Sequence, residues 1–156
     1  MAFYQLYFEQ NVNTSMDEAW DFISSPENLK KITPPHMGFN ITSKSMAEKM
    51  YPGMIITYKV SPLPMYTTDW MTEITHVEDH HFFVDEQRMG PYKIWHHQHI
   101  IEPLDKGVLM KDLITYAPPF GFLGTIANRL FIKRQIHQIF QFRKKAIIDI
   151  FGDYPS

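Results

Sequence analysis

The stretch "FGFLGTIANRLFIKRQIHQIFQFRKKAIIDIFG" (Phe120–Gly152) decides how this chain folds. It holds no proline, and its glycines sit near its ends. Along it Ile132, Ile136, Ile139/Phe140, Arg143, Ile147 and Ile150/Phe151 recur at steps of three and four. That spacing puts them on one face of an α-helix. About 28 helical residues reach about 42 Å at 1.5 Å per residue. A helix of that length needs a broad apolar surface to cover its stripe.

The residues before it supply such a surface. "FYQLYFEQNV" (Phe3–Val12) reads as a first strand. In "NTSMDEAWDFI", Ser15 and Glu18 form the S-x-x-E pattern of a capping box, opening a helix with Trp20, Phe22 and Ile23. Ser25 and Pro26 restart a second short helix, which Pro34 and Pro35 stop. Strands are then expected over 38–44, 55–61, 66–77, 81–89, 92–102 and 108–116, with turn residues in "MGPY" and "EPLDKG" making the last three a meander. The order is one strand, two short helices, about six strands and one long helix. No internal repeat, low-complexity tract or linker interrupts residues 1–156, which read as one domain.

Composition narrows the function classes. Hydrophobic residues make up 44% and charged residues 21%, a globular balance. A net charge of −2 supplies no field to gather nucleic acid or an anionic membrane. Membrane contact is expected to be transient at most. The chain has no cysteine, which removes disulfides, thiolate ligands and cysteine nucleophiles. "MAFYQLYFEQ" lacks the basic and apolar regions of a signal peptide, and no apolar run reaches spanning length. A cytoplasmic protein is expected. There is no G-x-S-x-G elbow, phosphate loop or dinucleotide fingerprint, and no cofactor is expected.

In the order of its elements the chain resembles the START-like (SRPBCC, Bet v 1-like, polyketide cyclase-like) superfamily. "FVDEQRMGPYKIWHHQHIIEP", "MKDLITYAPPFGFLG" and "FQFRKKAIIDIF" sharpen the resemblance toward a bacterial branch of small stand-alone members, also found fused to sugar-nucleotide-epimerase-like domains. The resemblance covers the whole chain. It implies an α+β helix-grip fold, in which a curved antiparallel sheet of six to seven strands wraps a long C-terminal helix around an apolar cavity. It implies no single activity, because one scaffold hosts carriers, receptors and enzymes.

"YKIWHHQHII" (Tyr92–Ile101) carries the densest chemistry. On a strand, Trp95, His97, His99 and Ile101 share one face. A tight turn at "MGPY" sets Asp85 near His97 and Gln87 near Trp95. Turning Lys111 to solvent sends Met110, Asp112, Ile114 and Tyr116 inward, and the second hairpin is expected to pair His97 with Asp112, Trp95 with Ile114 and His99 with Met110. The row Asp85, His97, Asp112 is expected on the face toward the long helix.

Four uses of that row compete. It can pin strand register as a self-satisfied polar core. It can be the polar wall of a small-molecule site, with Phe83, Trp95, Ile101, Met110 and Ile114 as apolar lining. It can perform acid–base chemistry, with His97 as base, Asp112 or Asp85 orienting it, and His99 or Tyr116 donating to an oxyanion. It can hold a metal through His97, His99 and Asp112. The flanking carboxylates already account for the histidines, so no metal is expected.

In "YAPPFGFLG" (Tyr116–Gly124), Phe120 and Phe122 are candidates to edge the cavity mouth. The cations Lys133, Arg134, Arg143, Lys144 and Lys145 read as a solvated helix face, with contact to anionic lipid beside an apolar lip at Phe120, Phe122 and Leu123 as the alternative. The preferred function is non-catalytic binding or transport of a small hydrophobic or amphipathic ligand, of lipid or aromatic polyketide type. Asp85, Gln87, Trp95, His97, His99, Met110, Asp112, Ile114, Tyr116, Phe120 and Phe122 are the expected ligand-binding residues. A cyclase or dehydratase using His97 with Asp112 is the second reading, and a protein-interaction module the third.

Overall fold

The computed structural model describes residues 2–44, 46–63 and 65–155. Strand β1 (Tyr4–Val12) leads to helix α1 (Met16–Ile23), two 3-10 turns (Pro26–Ile32 and Pro35–Met37) and the two-residue strand β2 (Asn40–Ile41). Five long strands follow: β3 (Met54–Leu63), β4 (Tyr66–Glu78), β5 (Phe82–Met89), β6 (Ile94–Leu104) and β7 (Gly107–Ala117). A 31-residue helical stretch closes the chain, made of α2 (Gly121–Ala127), a π turn (Asn128–Ile132) and α3 (Lys133–Phe151).

The seven strands form one curved antiparallel sheet in the order β1-β7-β6-β5-β4-β3-β2. This is the expected helix-grip architecture. The strand expected over 38–44 is shorter than its sequence suggests. Gly38 turns left-handed at the end of a 3-10 turn, and only Asn40 and Ile41 pair, opposite Lys59 and Tyr58. The second short helix is 3-10 rather than α.

Local chemistry explains the element ends. Ser15 caps α1 by accepting from the Glu18 N–H, and the Glu18 carboxylate accepts from the Ser15 N–H, so the capping box forms. Asp105 and Lys106 make a two-residue turn between β6 and β7, with Leu104 opposite Gly107. Gly107 has φ +112°, and a Cβ there would lie 2.3 Å from the Val12 carbonyl oxygen. Only glycine satisfies both constraints.

The core falls into three clusters of buried apolar residues, and the helix meets the sheet differently along it. On the β1–β7 side α3 lies directly on the sheet: Ile136 and Phe140 pack with Leu6, Ile114 and Tyr116, and Phe140 stacks on Phe8 at 4.3 Å. On the β3–β5 side the 3-10 turns hold the helix off the sheet, and a cavity of about 170 Å³ remains.

Candidate functional site: a charged cluster at the wall of an apolar cavity

Most of the cavity wall is apolar. Ile56, Tyr58 and Val60 come from β3, Trp70 and Ile74 from β4, Phe83 from β5, Met37 and Phe39 from the 3-10 region, and Ile136, Ile139 and Phe140 from the long helix. Trp70 and Trp95 meet edge to face at 5.5 Å, and Tyr92 lies 4.9 Å from Trp95. Four polar or charged side chains share the wall at one place: Asp85, His97, His99 and Arg143.

Strand register assembles them. Asp85 sits opposite His97, as the Gly-Pro turn predicts. Across the next hairpin the register differs from expectation by two residues. His99, not His97, faces Asp112, while His97 faces Ile114, Trp95 faces Tyr116 and Ile101 faces Met110. The cause is the turn, which closes at Leu104–Gly107. A slip of two preserves the facing of every side chain, so Asp112 still points inward.

Because Asp112 lies beside both imidazoles, it serves both. Its Oδ1 is 2.9 Å from His97 Nε2, 3.2 Å from His99 Nδ1 and 3.2 Å from Arg143 Nη1. Asp85 Oδ2 lies 2.6 Å from His99 Nε2 and 3.5 Å from His97 Nδ1. The rings of His97 and His99 are 3.7 Å apart, and Phe83 stacks on His99 at 4.1 Å. Both histidines, Asp112 and Arg143 are less than a tenth exposed.

These contacts fix protonation. Both ring nitrogens of His99 point at carboxylates. Burial disfavours its charge, but Asp112 and Asp85 outweigh burial and raise its pKa above 6.5. His97 is driven the other way, first by burial and then by the neighbouring His99, so its pKa falls below 6.5. Burial pushes the Asp112 carboxyl up, but Arg143 and then the two histidines hold it well below the usual carboxylate range. Asp85 is lowered less, with burial opposed by its hydrogen bond from His99 and by charges on His97, His99 and Arg143. With His99 protonated and His97 neutral, two carboxylates face two cations and the cluster is electrically balanced.

That assignment leaves two residues of the cavity wall with incompletely paired groups. Neutral His97 donates from Nε2 to Asp112, so Nδ1 carries a lone pair. At 3.5 Å from Asp85 it is outside normal hydrogen-bond range. Arg143 spends Nη1 on Asp112, and its Nη2 is 3.4 Å from a His99 nitrogen that is itself a donor. Arg143 therefore holds N–H groups without strong acceptors beside the cavity. The same side chains have a metal-compatible geometry: ligand atoms of Asp85, His97 and His99 lie within 4.8 Å of one another. Asp112 would then steady both imidazoles from behind.

The expected site residues divide between wall and surroundings. Asp85, Trp95, His97 and His99 border the cavity. Asp112 stands behind the histidines on the β7 side, facing a smaller cleft with Met110. Ile114 and Tyr116 are fully buried beneath the helix, where direct packing leaves no space, and the Tyr116 hydroxyl donates to Asn128 at 2.7 Å. Gln87 folds back to bond the Tyr92 backbone at both its N–H and its carbonyl. Phe120 and Phe122 are largely exposed and are not among the residues that line the cavity. Arg143 corrects the reading of a solvated cation. Its position in the apolar stripe, four residues before Ile147, is the signal that it faces inward. Nothing in the sequence announced the wall from β3 and β4, because a strand's role there depends on where the helix lifts away.

Comparisons with known proteins concern the fold. No family model matches the sequence, and no curated protein does. Solved structures match over nearly the full length at low identity. A Chromobacterium violaceum protein of 11% identity superposes with a TM-score of 0.71, covering 96% of this chain and 98% of its own. Major latex-like protein 151 of Panax ginseng is 10% identical with a TM-score of 0.67, covering 97% and 99%. A point mutant of a Thalictrum norcoclaurine synthase, bound to a transition-state analogue, is 15% identical with a TM-score of 0.63, covering 96% of each chain. The chain thus has the Bet v 1-like helix-grip fold.

Proposed function

We propose that this protein binds a small, mostly apolar molecule in its internal cavity and orients it by one polar group. The observation that carries this reading is the meeting of a largely apolar wall with one buried cluster that still has a lone pair and N–H groups to offer. A ligand hydroxyl would donate to His97 Nδ1, and a carbonyl, carboxylate or phenolate oxygen would accept from Arg143. The size of the space refines the ligand class. An apolar cavity of about 150 Å³ holds a benzene-sized molecule, so 170 Å³ suits a small single-ring aromatic better than a full acyl chain or a multi-ring polyketide.

Native mass spectrometry of protein purified from its source organism tests this reading. A co-purifying compound is expected, lost or weakened in His97→Ala and Trp95→Ala. A clean apo mass across repeated preparations is the result that overturns it.

One observation favours a second reading, a cyclase or dehydratase. His97 has a lowered pKa and is oriented by Asp112, and its Nδ1 makes no hydrogen bond of normal length, although Asp85 Oδ2 stands 3.5 Å from it and would have to leave it free for a general base. In that case His97→Gln would retain ligand and lose turnover. The interaction-module reading asks for a filled core together with a large exposed apolar patch; the cavity weighs against the first, while Phe120, Phe122, Leu123 and Leu130 supply the second.

A further inference from the structure

The helical stretch after β7 leaves a face uncovered. Phe120, Phe122, Leu123 and Leu130 are 81, 76, 68 and 70% exposed, and Ile126 and Phe131 are also exposed. Phe122, Ile126 and Leu130 follow one another at steps of four, so they form a single stripe. The opposite side of the same segment is anchored: Asn128 is buried on the Tyr116 hydroxyl, and a Cβ on Gly124 would lie 1.9 Å from the Pro119 carbonyl oxygen. The apolar stripe is thus held outward by packing beneath it. Apolar side chains gathered in one patch mark an interaction surface.

Charge says what covers it. From Leu113 to Ile148 there is no aspartate or glutamate, but six lysines and arginines. Arg143 is the buried one. Arg129, Lys133 and Arg134 are exposed within or just after the stripe, and among the described residues none of them forms an ion pair. The overall charge of −2 conceals this asymmetry.

We propose that residues 120–134 dock this protein reversibly on an anionic lipid bilayer, with the apolar stripe in the headgroup–acyl boundary and Arg129, Lys133 and Arg134 on lipid phosphates. Two features favour lipid over a second copy of the chain. A two-fold contact would bring like-charged arginines and lysines together. Phe120 and Phe122 are also strongly exposed and line neither the cavity nor the smaller cleft. Met65, fully exposed at the β3–β4 tip, stands near the same end of the sheet, since Gln135 of α3 bonds the Pro62 carbonyl. Among the described residues no helix is long and apolar enough to cross a membrane, and the proposed contact is with the surface. The proposal does not depend on what fills the cavity.

Sedimentation with sucrose-loaded vesicles tests it, using phosphatidylcholine alone and phosphatidylcholine mixed with phosphatidylglycerol. Binding should be at least several-fold stronger to the anionic vesicles and should vanish near 1 M salt, where the screening length is about 3 Å. The double variant Phe120→Ser/Phe122→Ser should lose binding about tenfold. Arg129→Glu/Lys133→Glu/Arg134→Glu should abolish the preference for anionic lipid. Circular dichroism and cavity occupancy by native mass spectrometry should be unchanged in both, which separates this docking from ligand binding. The proposal fails if neither vesicle binds, if both bind equally, or if the variants bind as the parent does. It also fails if light scattering shows a dimer that the phenylalanine substitutions dissolve.

Discussion

At the scale of single residues, Asp112 holds more of the site together than any other group. It is the counter-ion of Arg143 and the orienting partner of both histidines. Asp112→Asn leaves Arg143 buried with a weakened partner and should cost about 3–5 kcal/mol, the usual penalty for breaking a buried pair from one side. Urea denaturation at neutral pH measures it. The pH dependence has a definite sign. Because the folded-state pKa of Asp112 is depressed, its stabilisation is present above the unfolded value and is lost as pH falls through the folded one. The acid loss therefore begins below about pH 4, and the Asn variant should lack that component. The two histidines act in opposite directions between. Raised His99 contributes fully below pH 6.5 and loses its contribution as pH rises through its folded value. Lowered His97 contributes above pH 6.5 and loses its contribution as pH falls. A proton NMR titration should show two imidazole midpoints on either side of about 6.5, with His99 the higher. A single shared midpoint, or the reverse order, would contradict the charge assignment.

At the scale of elements, turns set what strands can do. The β6–β7 hairpin closes through Asp105–Lys106, and Gly107 makes that closure possible. Gly107→Ala meets both an unfavourable φ and the Val12 carbonyl, so it should destabilise by about 1–3 kcal/mol, read as a lower urea midpoint. If it proves neutral, the close approach of β1 to this turn is wrong. Ser15→Ala removes one half of the capping box on α1 and should cost about 1 kcal/mol. The elements themselves were legible. The long helix, the capping box, the meander and the inward facing of His97, His99 and Asp112 all follow from periodicity and parity. The two-residue slip was not, because a register shift by two leaves the hydrophobic pattern unchanged and only turn geometry distinguishes the alternatives. The 3-10 character of Pro26–Ile32 was also hidden: a proline start and a short run fit either helix type.

At the scale of the whole molecule, the cavity exists because one helix cannot touch a curved sheet everywhere. It packs tightly on β1 and β7 through Phe140 and Ile136 and stands away from β3 to β5. Filling that space should therefore be tolerated. Val60→Phe, at a buried position on the cavity wall, should cost less than the roughly 1–3 kcal/mol of overpacking a filled core, while eliminating any co-purified ligand. A large loss of stability with ligand retained would mean that the space is not where the structure puts it.

The sequence by itself determined the architecture, because long-range periodicity of apolar residues is a property of the chain that any compact fold must respect. It also determined which residue types gather on the inner face of β6 and β7. Only the tertiary structure decided which of them reach open space. Gln87 is satisfied locally, Ile114 and Tyr116 are sealed beneath the helix, and Phe120 and Phe122 face outward. Arg143 completes the cluster from the helix, and β3 and β4 supply seven of the wall residues. Those outcomes depend on where two distant segments meet in space, and a pairing between helix and sheet leaves no trace in the spacing of either one.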